Sequence, residues 1–396
     1  MKKLPRVSGR RTARSLMTNP NAVFSGGGGA VEAPSSPSSK TNGGAARIRR
    51  LLVPFLLLAA LTLPCAVLYL AAAPMAPLVP SAWSVRWDLA PPVVPPDENP
   101  AANAVDLDSE DARLEKVLKE AAMEDKTVIL TTMNAAWASP GSVIDLFIES
   151  FRIGNGTCVL LNHLVIISLD LKAYDRCMSI HFHCFALIAE EVDFSGEKKF
   201  MSAGYLEMMW RRIDFLRVVL EKGYNFIFSD ADIMWFRNPL PNFYHDGDFQ
   251  IACDHFMGDS TDLSNKANGG FNYVKSNNRS IEFYNFWYSS REKYPGYHDQ
   301  DVLNFIKHDP FIAEIGIRFR FLSTTYFGGI CEPSRDFSKV CTMHANCCIG
   351  LSSKLHDIRV ILEDWRNYMS LPLSIKNSGV YLWRVPQNCS LSALIQ

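Results

Sequence analysis

Two aspartates one residue apart, Asp230 and Asp232, interrupt the run Tyr224 to Pro239, YNFIFSDADIMWFRNP. Carboxylates at this spacing can offer hard oxygen ligands to one divalent cation, and such a cation commonly bridges protein carboxylates to substrate phosphates. Asp-x-Asp alone is weak, because the 396 residues contain four such pairs: Asp106 with Asp108, Asp230 with Asp232, Asp246 with Asp248 and Asp299 with Asp301. Context separates them. Residues Tyr224 to Phe228 are aromatic and β-branched, follow Gly223 and read as a buried strand. The 230/232 pair therefore falls at a strand's carboxyl end, the edge of an open α/β sheet where loops form a ligand crevice. The 106/108 pair sits in Pro- and Ala-rich sequence and the 246/248 pair in a turn-like HDGD, so both read as solvated surface.

The elements that must position Asp230 and Asp232 begin at Ser109, where Asp108 or Ser109 caps a helix with the apolar stripe Leu114, Val117, Leu118, Ala121 and Ala122. Val128 to Met133 reads as a strand, Asn134 to Gly141 as a loop, and a helix carries Val143, Ile144, Phe147 and Phe151. His163 to Asp170 is a second buried strand, and this alternation predicts an α/β fold with a parallel sheet. Thr131, Thr132, Asn134 and Asp170 then lie near its carboxyl edge, where capping and nucleotide contact are both open to them. Phe200 to Glu221 is helical with Arg212 on its apolar stripe. That buried guanidinium needs an anionic partner, either one of the two aspartates or a bound diphosphate. Arg211 and Arg217 face solvent on this pattern. Phe249 to Cys253 and Gly270 to Lys275 read as further strands, the latter preceded by Asn268 and Gly269. An aromatic-rich helix follows from Ser280. His298, Asp299 and Gln300 open the next helix, where polar side chains often serve as caps. Thr342, Met343 and His344 end an apolar-polar run ahead of Gly350, Lys354 and a last helix to Trp365.

Composition divides the chain into four. Residues 1 to 50 form a basic, Gly- and Ser-rich tail of disordered type, and a formal net charge of -1 over the whole chain argues against nucleic acid as the main partner. Leu51 to Ala73 is uncharged and long enough to cross a ~30 Å hydrocarbon layer as a transmembrane helix. Arg47, Arg49 and Arg50 before it place the amino terminus in the cytosol and the rest in a lumen. A cleaved signal peptide is the rival reading, which the long preceding tail weighs against. Residues 74 to 107, with PPVVPP, read as an extended stem, and residues 108 to 396 as the lumenal domain. Asn155, Asn278 and Asn388 head glycosylation sequons on the lumenal side. Nine cysteines follow Cys65; an oxidising compartment permits disulfides, and an odd count leaves at least one thiol over. A zinc site at Cys341, Cys347, Cys348 and His344 is an alternative, though its spacing fits no common zinc module.

FSDADIMWFRNP, ANGGFNYV, HDQDVLN and TMHANCC, in this order, resemble the plant nucleotide-diphospho-sugar transferase domain of glycosyltransferase family 77, from about Thr127 to Trp365. The resemblance implies a GT-A (Rossmann-like) fold and a Golgi type II membrane enzyme. It also implies transfer of arabinose, xylose or galactose from a UDP-sugar, with retention and usually with Mn²⁺, to cell-wall polysaccharides or glycoproteins. The pattern is also similar to the retaining transferases of family 8. That similarity makes Asp230, Asp232 and His344 metal ligands, lines the donor sugar with Asn268 and Gly270, gives its hydroxyls to Asp299 and faces Gln300 to the anomeric carbon. It assigns the diphosphate to Arg212, Gly350 and Lys354. In family 8 the Gly and Lys stand three and six places after the His; here they stand six and ten places after His344. A lumenal nucleotide-sugar hydrolase on the same aspartates, and a non-catalytic sugar- or partner-binding protein on the same fold, are the rival functions.

Overall fold

The computed structural model describes residues 109–189, 192–376 and 381–389. The basic tail, the expected span at 51–73, the stem and the Asp106/Asp108 pair lie outside these residues. Among the described residues no helix is long and apolar enough to cross a membrane.

Among the described residues ten strands form two sheets. In chain order they are β1 (Thr127–Met133), β2 (Leu164–Ser168), β3 (Cys184–Ala186), β4 (Asn225–Ser229), β5 (Ile233–Trp235), β6 (Phe249–His255), β7 (Lys266–Val274), β8 (Phe319–Phe321), β9 (Phe327–Gly329) and β10 (Thr342–His344). The larger sheet has the order β3-β2-β1-β4-β7-β6-β8. β7 runs antiparallel to both its neighbours, and the other pairings are parallel, as the alternation of strands and helices predicts for β1 and β2. The smaller sheet, β5-β10-β9, starts directly after the two aspartates.

Helices cover both faces of the large sheet: α1 (Glu110–Ala121), α2 (Ala135–Ala138), α3 (Val143–Ile153), α4 (Leu171–Ile180), α5 (Ala203–Glu221), α6 (Asn278–Ser289), α7 (Asp299–Ile306), α8 (Pro310–Ile315), α9 (Leu351–Ser370) and α10 (Leu373–Lys376). Side chains alternate across a strand, so β4 sends Phe226 and Phe228 to one core with α1, α5 and α6, and Ile227 to the other with α3, α9 and the small sheet. Burial on both faces explains why the central strands are apolar throughout. In the second core Trp235 stacks on Phe151 at 4.6 Å and donates from its indole nitrogen to Ser229 Oγ. Burying a large side chain of this kind stabilises by about 1.5–3 kcal/mol, which holds β5 beneath the strand-end loops.

β7 begins at Lys266 rather than Gly270, so Asn268 and Gly269 are strand residues. The stretch after Asn134 contains the short helix α2. Asp248, read as solvated, is 1% exposed and accepts from both Arg279 and Arg318. Arg211 is half-buried and donates to the Ile188 carbonyl. The cysteines pair as Cys177–Cys184, Cys331–Cys347 and Cys348–Cys389, with Cys158, Cys253 and Cys341 free. Cys347 and Cys348 are thus spent on disulfides, which removes the zinc reading.

Candidate active site

β4 ends at Ser229, and the chain turns through Asp230 and Asp232 into β5. Two backbone contacts fix this turn: Asp230 donates its N–H to the Gly270 carbonyl of β7 at 2.7 Å, and Asp232 accepts from Ala345 N–H at 3.0 Å. The antiparallel register of β5 with β10 sets Ile233 opposite His344 and so brings the imidazole beside Asp232. One ligand atom from each of Asp230, Asp232 and His344 lies within 4.8 Å of the others. Asp232 Oδ1 is buried and makes no hydrogen bond, with His344 Nε2 3.3 Å away. Two carboxylates, one of them with an unsatisfied buried oxygen, and an imidazole fit a divalent transition ion such as Mn²⁺. Gly270 makes the room: a Cβ there would stand 2.6 Å from His344 Cε1 and 2.7 Å from Asp230 Oδ2.

The acids are held apart in charge by their neighbours. Burial pushes the Asp232 carboxyl up, but the ammonium of Lys354, which is ion-paired to Asp232 Oδ2, and His344 outweigh it and hold the group well below the usual carboxylate range. Burial also pushes Asp230 up, against Arg212, and the charge of Asp232 adds to the rise. Arg212 bridges two acids, donating to Asp230 Oδ1 at 2.8 Å and to Asp299 Oδ2 at 2.5 Å while its guanidinium lies over Phe228. The ion pair expected of Arg212 is present, with Asp299 as a second partner. Burial raises the Asp299 carboxyl too, yet Arg212 and His298 carry it down to about 2. Loss of one member of a buried pair leaves the other charge uncompensated, at about 3–5 kcal/mol, so Arg212 couples the Asp230 turn to α7.

Around these acids opens a cleft of about 550 Å³, a volume that suits a small organic ligand. Thr132, Asn134, Asn268, Gly270, Gln300, Gly350 and Lys354 all line it along with the acids, Arg212 and His344. Despite the longer spacing after His344, Lys354 reaches Asp232, and Gly350, at φ +90°, starts α9 at the cleft wall. Asn134 also caps α2, accepting from Trp137 N–H, and donates to the Phe194 and Gly196 carbonyls. Two expected residues stand apart from the lining. Thr131 is fully buried with an unpaired hydroxyl, and Asp170 caps α4 through Ala173 N–H and also accepts from Ala135 N–H. For Asp170 the capping reading holds.

Sequence reasoning missed Asp254 and Asn346, both in the cleft wall. Asp254 is the penultimate residue of β6, so an acid at a strand's carboxyl end, the same signal as at Asp230, could have found it. Tyr205 also lines the cleft; burial and Asp299 push its phenol far up, which keeps it a neutral donor.

Residues 159–358 match the family model described as nucleotide-diphospho-sugar transferase. An uncharacterized protein of Arabidopsis thaliana, At4g15970, is 52% identical over 278 residues, covering 70% of this chain and 73% of its own length. A second uncharacterized Arabidopsis thaliana protein, At1g28695, is 39% identical over 277 residues, covering 69% of this chain and 81% of its own length. Among solved structures, a glycosyltransferase involved in the glycosylation of the major capsid of PBCV-1 aligns with 13% identity and a TM-score of 0.36, over 59% of this chain and 98% of that one. A family match over half the chain, with the metal-type triad, Gly270 and Gln300 inside the matched span, gives the identification: this chain belongs to the nucleotide-diphospho-sugar transferase family and is a glycosyltransferase.

Proposed function

We propose that this chain moves a sugar from a UDP-sugar to a cell-wall polysaccharide or glycoprotein acceptor, with retention and with a divalent cation, Mn²⁺ in the first instance. The observation that carries the reading is the Asp230–Asp232–His344 donor set at the floor of a cleft whose wall also supplies Lys354 and the start of α9. When bound, the cation supplies charge neutralisation at the leaving diphosphate. Lys354 adds a second positive charge on the same side, and the N-terminus of α9, where Leu351 N–H donates to the Glu197 carboxylate, is an end that takes an anion. Gln300 has both ends of its amide hydrogen-bonded, which suits a group that orients rather than attacks. The acceptor hydroxyl then approaches from the face that UDP leaves. A bond forms between acceptor oxygen and anomeric carbon as the bond from that carbon to the phosphate oxygen breaks, and the hydroxyl proton passes to the departing UDP.

The donor sugars favoured are arabinose, xylose and galactose, by the likeness of the four motifs to glycosyltransferase family 77. We place the enzyme in the Golgi as a type II membrane protein. The uncharged run 51–73 behind three arginines supports this, as do three sequon asparagines, Asn155, Asn278 and Asn388, that are exposed on the domain. The decisive experiment is UDP release by the full chain against a panel of UDP-sugars, with Mn²⁺ and with chelator, with and without wall-derived acceptors. Metal-dependent turnover that needs an acceptor supports the transferase. Equal release without any acceptor would make the chain a hydrolase, and metal and UDP binding without turnover would make it a binding protein.

A further inference from the structure

Three side-chain amides converge on one carboxylate in the cleft wall. Asp254 Oδ1 accepts from Asn268 Nδ2 and from Asn346 Nδ2, each at 2.8 Å, and Asp254 Oδ2 accepts from Gln300 Nε2 at 2.9 Å. The donors come from three segments, 14, 92 and 46 residues away in sequence. Each amide is also pinned at its oxygen by a backbone N–H. Gln300 Oε1 accepts from Gly269 at 2.9 Å, Asn268 Oδ1 from Gly270 at 2.9 Å and Asn346 Oδ1 from Cys331 at 3.1 Å. An amide so held has one orientation, because turning it over would set its NH₂ against a backbone N–H and its oxygen against a carboxylate. Among the described residues no Lys, Arg or His forms an ion pair with Asp254, in contrast to Asp230, Asp232 and Asp299. A carboxylate half-buried at a cleft wall, with its oxygens satisfied by three neutral amides, orients those amides.

We infer that Asp254 is a positioning residue for the transfer reaction: it fixes the Gln300 amide, with Asn268 beside it, in the single orientation that presents the Gln300 carbonyl oxygen to the cleft. The inference rests on the transferase reading above, in which Gln300 faces the reacting carbon. Asp254 itself acts through Gln300. Asparagine is no substitute, since its own NH₂ would oppose one of the three donors.

The test uses the full chain with Mn²⁺ and the donor found by UDP release. Asp254→Ala should lower kcat by about 100-fold, the scale of a misplacement of the order of 1 Å, and leave thermal unfolding near wild type. Asp254→Asn should fall with it. Combining Asp254→Ala with Gln300→Ala should be no worse in kcat than Gln300→Ala alone, as expected of groups that act as one unit. Losses that multiply would overturn the inference, as would full kcat in Asp254→Ala. A second readout is independent of turnover. The chain has four glutamines, Gln250, Gln300, Gln387 and Gln396, so selective ¹⁵N labelling resolves the Gln300 side-chain amide. Its protons should exchange slowly with solvent in the wild type and fast in Asp254→Ala; equal rates overturn the positioning. Slow exchange in a protein that turns over no donor would instead leave the positioning standing and sink the transferase reading.

Discussion

At the scale of the residue, the turn that carries Asp230 and Asp232 depends on an absent side chain as much as on those present. Gly270 is flanked by Asn268 Oδ1 at 3.0 Å from an ideal Cβ, besides the 2.6 Å and 2.7 Å approaches of His344 and Asp230. None of these neighbours is a flexible chain end; two are the expected ligands. Gly270→Ala must displace them, so the variant should keep a cooperative unfolding transition near that of wild type while its Mn²⁺ affinity falls by at least about 10-fold. Even partners that only orient a ligand cost 10–100-fold. Isothermal titration of Mn²⁺ into the variant checks this, and unchanged affinity would remove Asp230 and His344 from the ligand set. Asp230 and Asp232 were legible in the sequence because an apolar strand ends at them, and their spacing places both within one turn. Asp254 carries the same signal at the end of β6, but its role was not legible, since that lies in three amides brought from elsewhere by the fold. Asp248 shows the same limit in another place: HDGD looks like a turn, and only the long-range approach of Arg279 and Arg318, 31 and 70 residues distant, buries it.

At the scale of the element, the segment between His344 and Lys354 is longer than the family 8 pattern, and two disulfides hold it. Cys331–Cys347 ties it to the loop after β9, and Cys348–Cys389 ties it to the carboxyl-terminal segment, so the wall between the imidazole and the ammonium is clamped on both sides. The loops closed are of 16 and 41 residues, which in the chain-entropy picture correspond to about 3 and 4 kcal/mol. The helix α9 and the β5–β10 ladder pack in the core without needing these bridges for contact. Replacing Cys331 and Cys347 together by Ser should therefore lower thermal stability and weaken UDP and Mn²⁺ binding more than it disturbs secondary structure by circular dichroism. Wild-type affinity for both in the double variant would show that the loop holds its shape unaided. Strands and helices were legible here because periodicity reports burial. The pairing of cysteines was not, since nine cysteines carry no register. β7 was cut short for a related reason: Asn268, Gly269 and Gly270 have turn chemistry, and the strand continues through them because the site needs backbone close to its ligands.

At the scale of the whole molecule, one buried cation links the site to stability. Lys307 closes α7, is 3% exposed, and donates from Nζ to the Asn265 carbonyl at 2.5 Å and to Asn304 Oδ1 at 2.8 Å. Asn304 in turn bonds both backbone groups of Ala267 in β7, next to Asn268, and the carbonyl of Gln300. The ammonium thus fastens the end of α7 to the strand that lines the cleft. Among the described residues no carboxylate pairs with it, and burial, with Lys266 adding, lowers its pKa from 10.5 to about 8. Between these two values the unfolded chain binds a proton that the folded chain does not, so stability rises with pH across that window and the penalty is fully present below pH 8. The difference between the two corresponds to about 3 kcal/mol. Lys307→Met removes the titrating group while keeping the chain length, and sets an apolar end near the Phe321 ring, whose centroid lies 5.7 Å from the ammonium. Denaturant unfolding from pH 7 to pH 10.5 should show wild type gaining on the variant by that order, with most of the gain above pH 8; parallel curves would mean the lysine is neutralised by something other than burial.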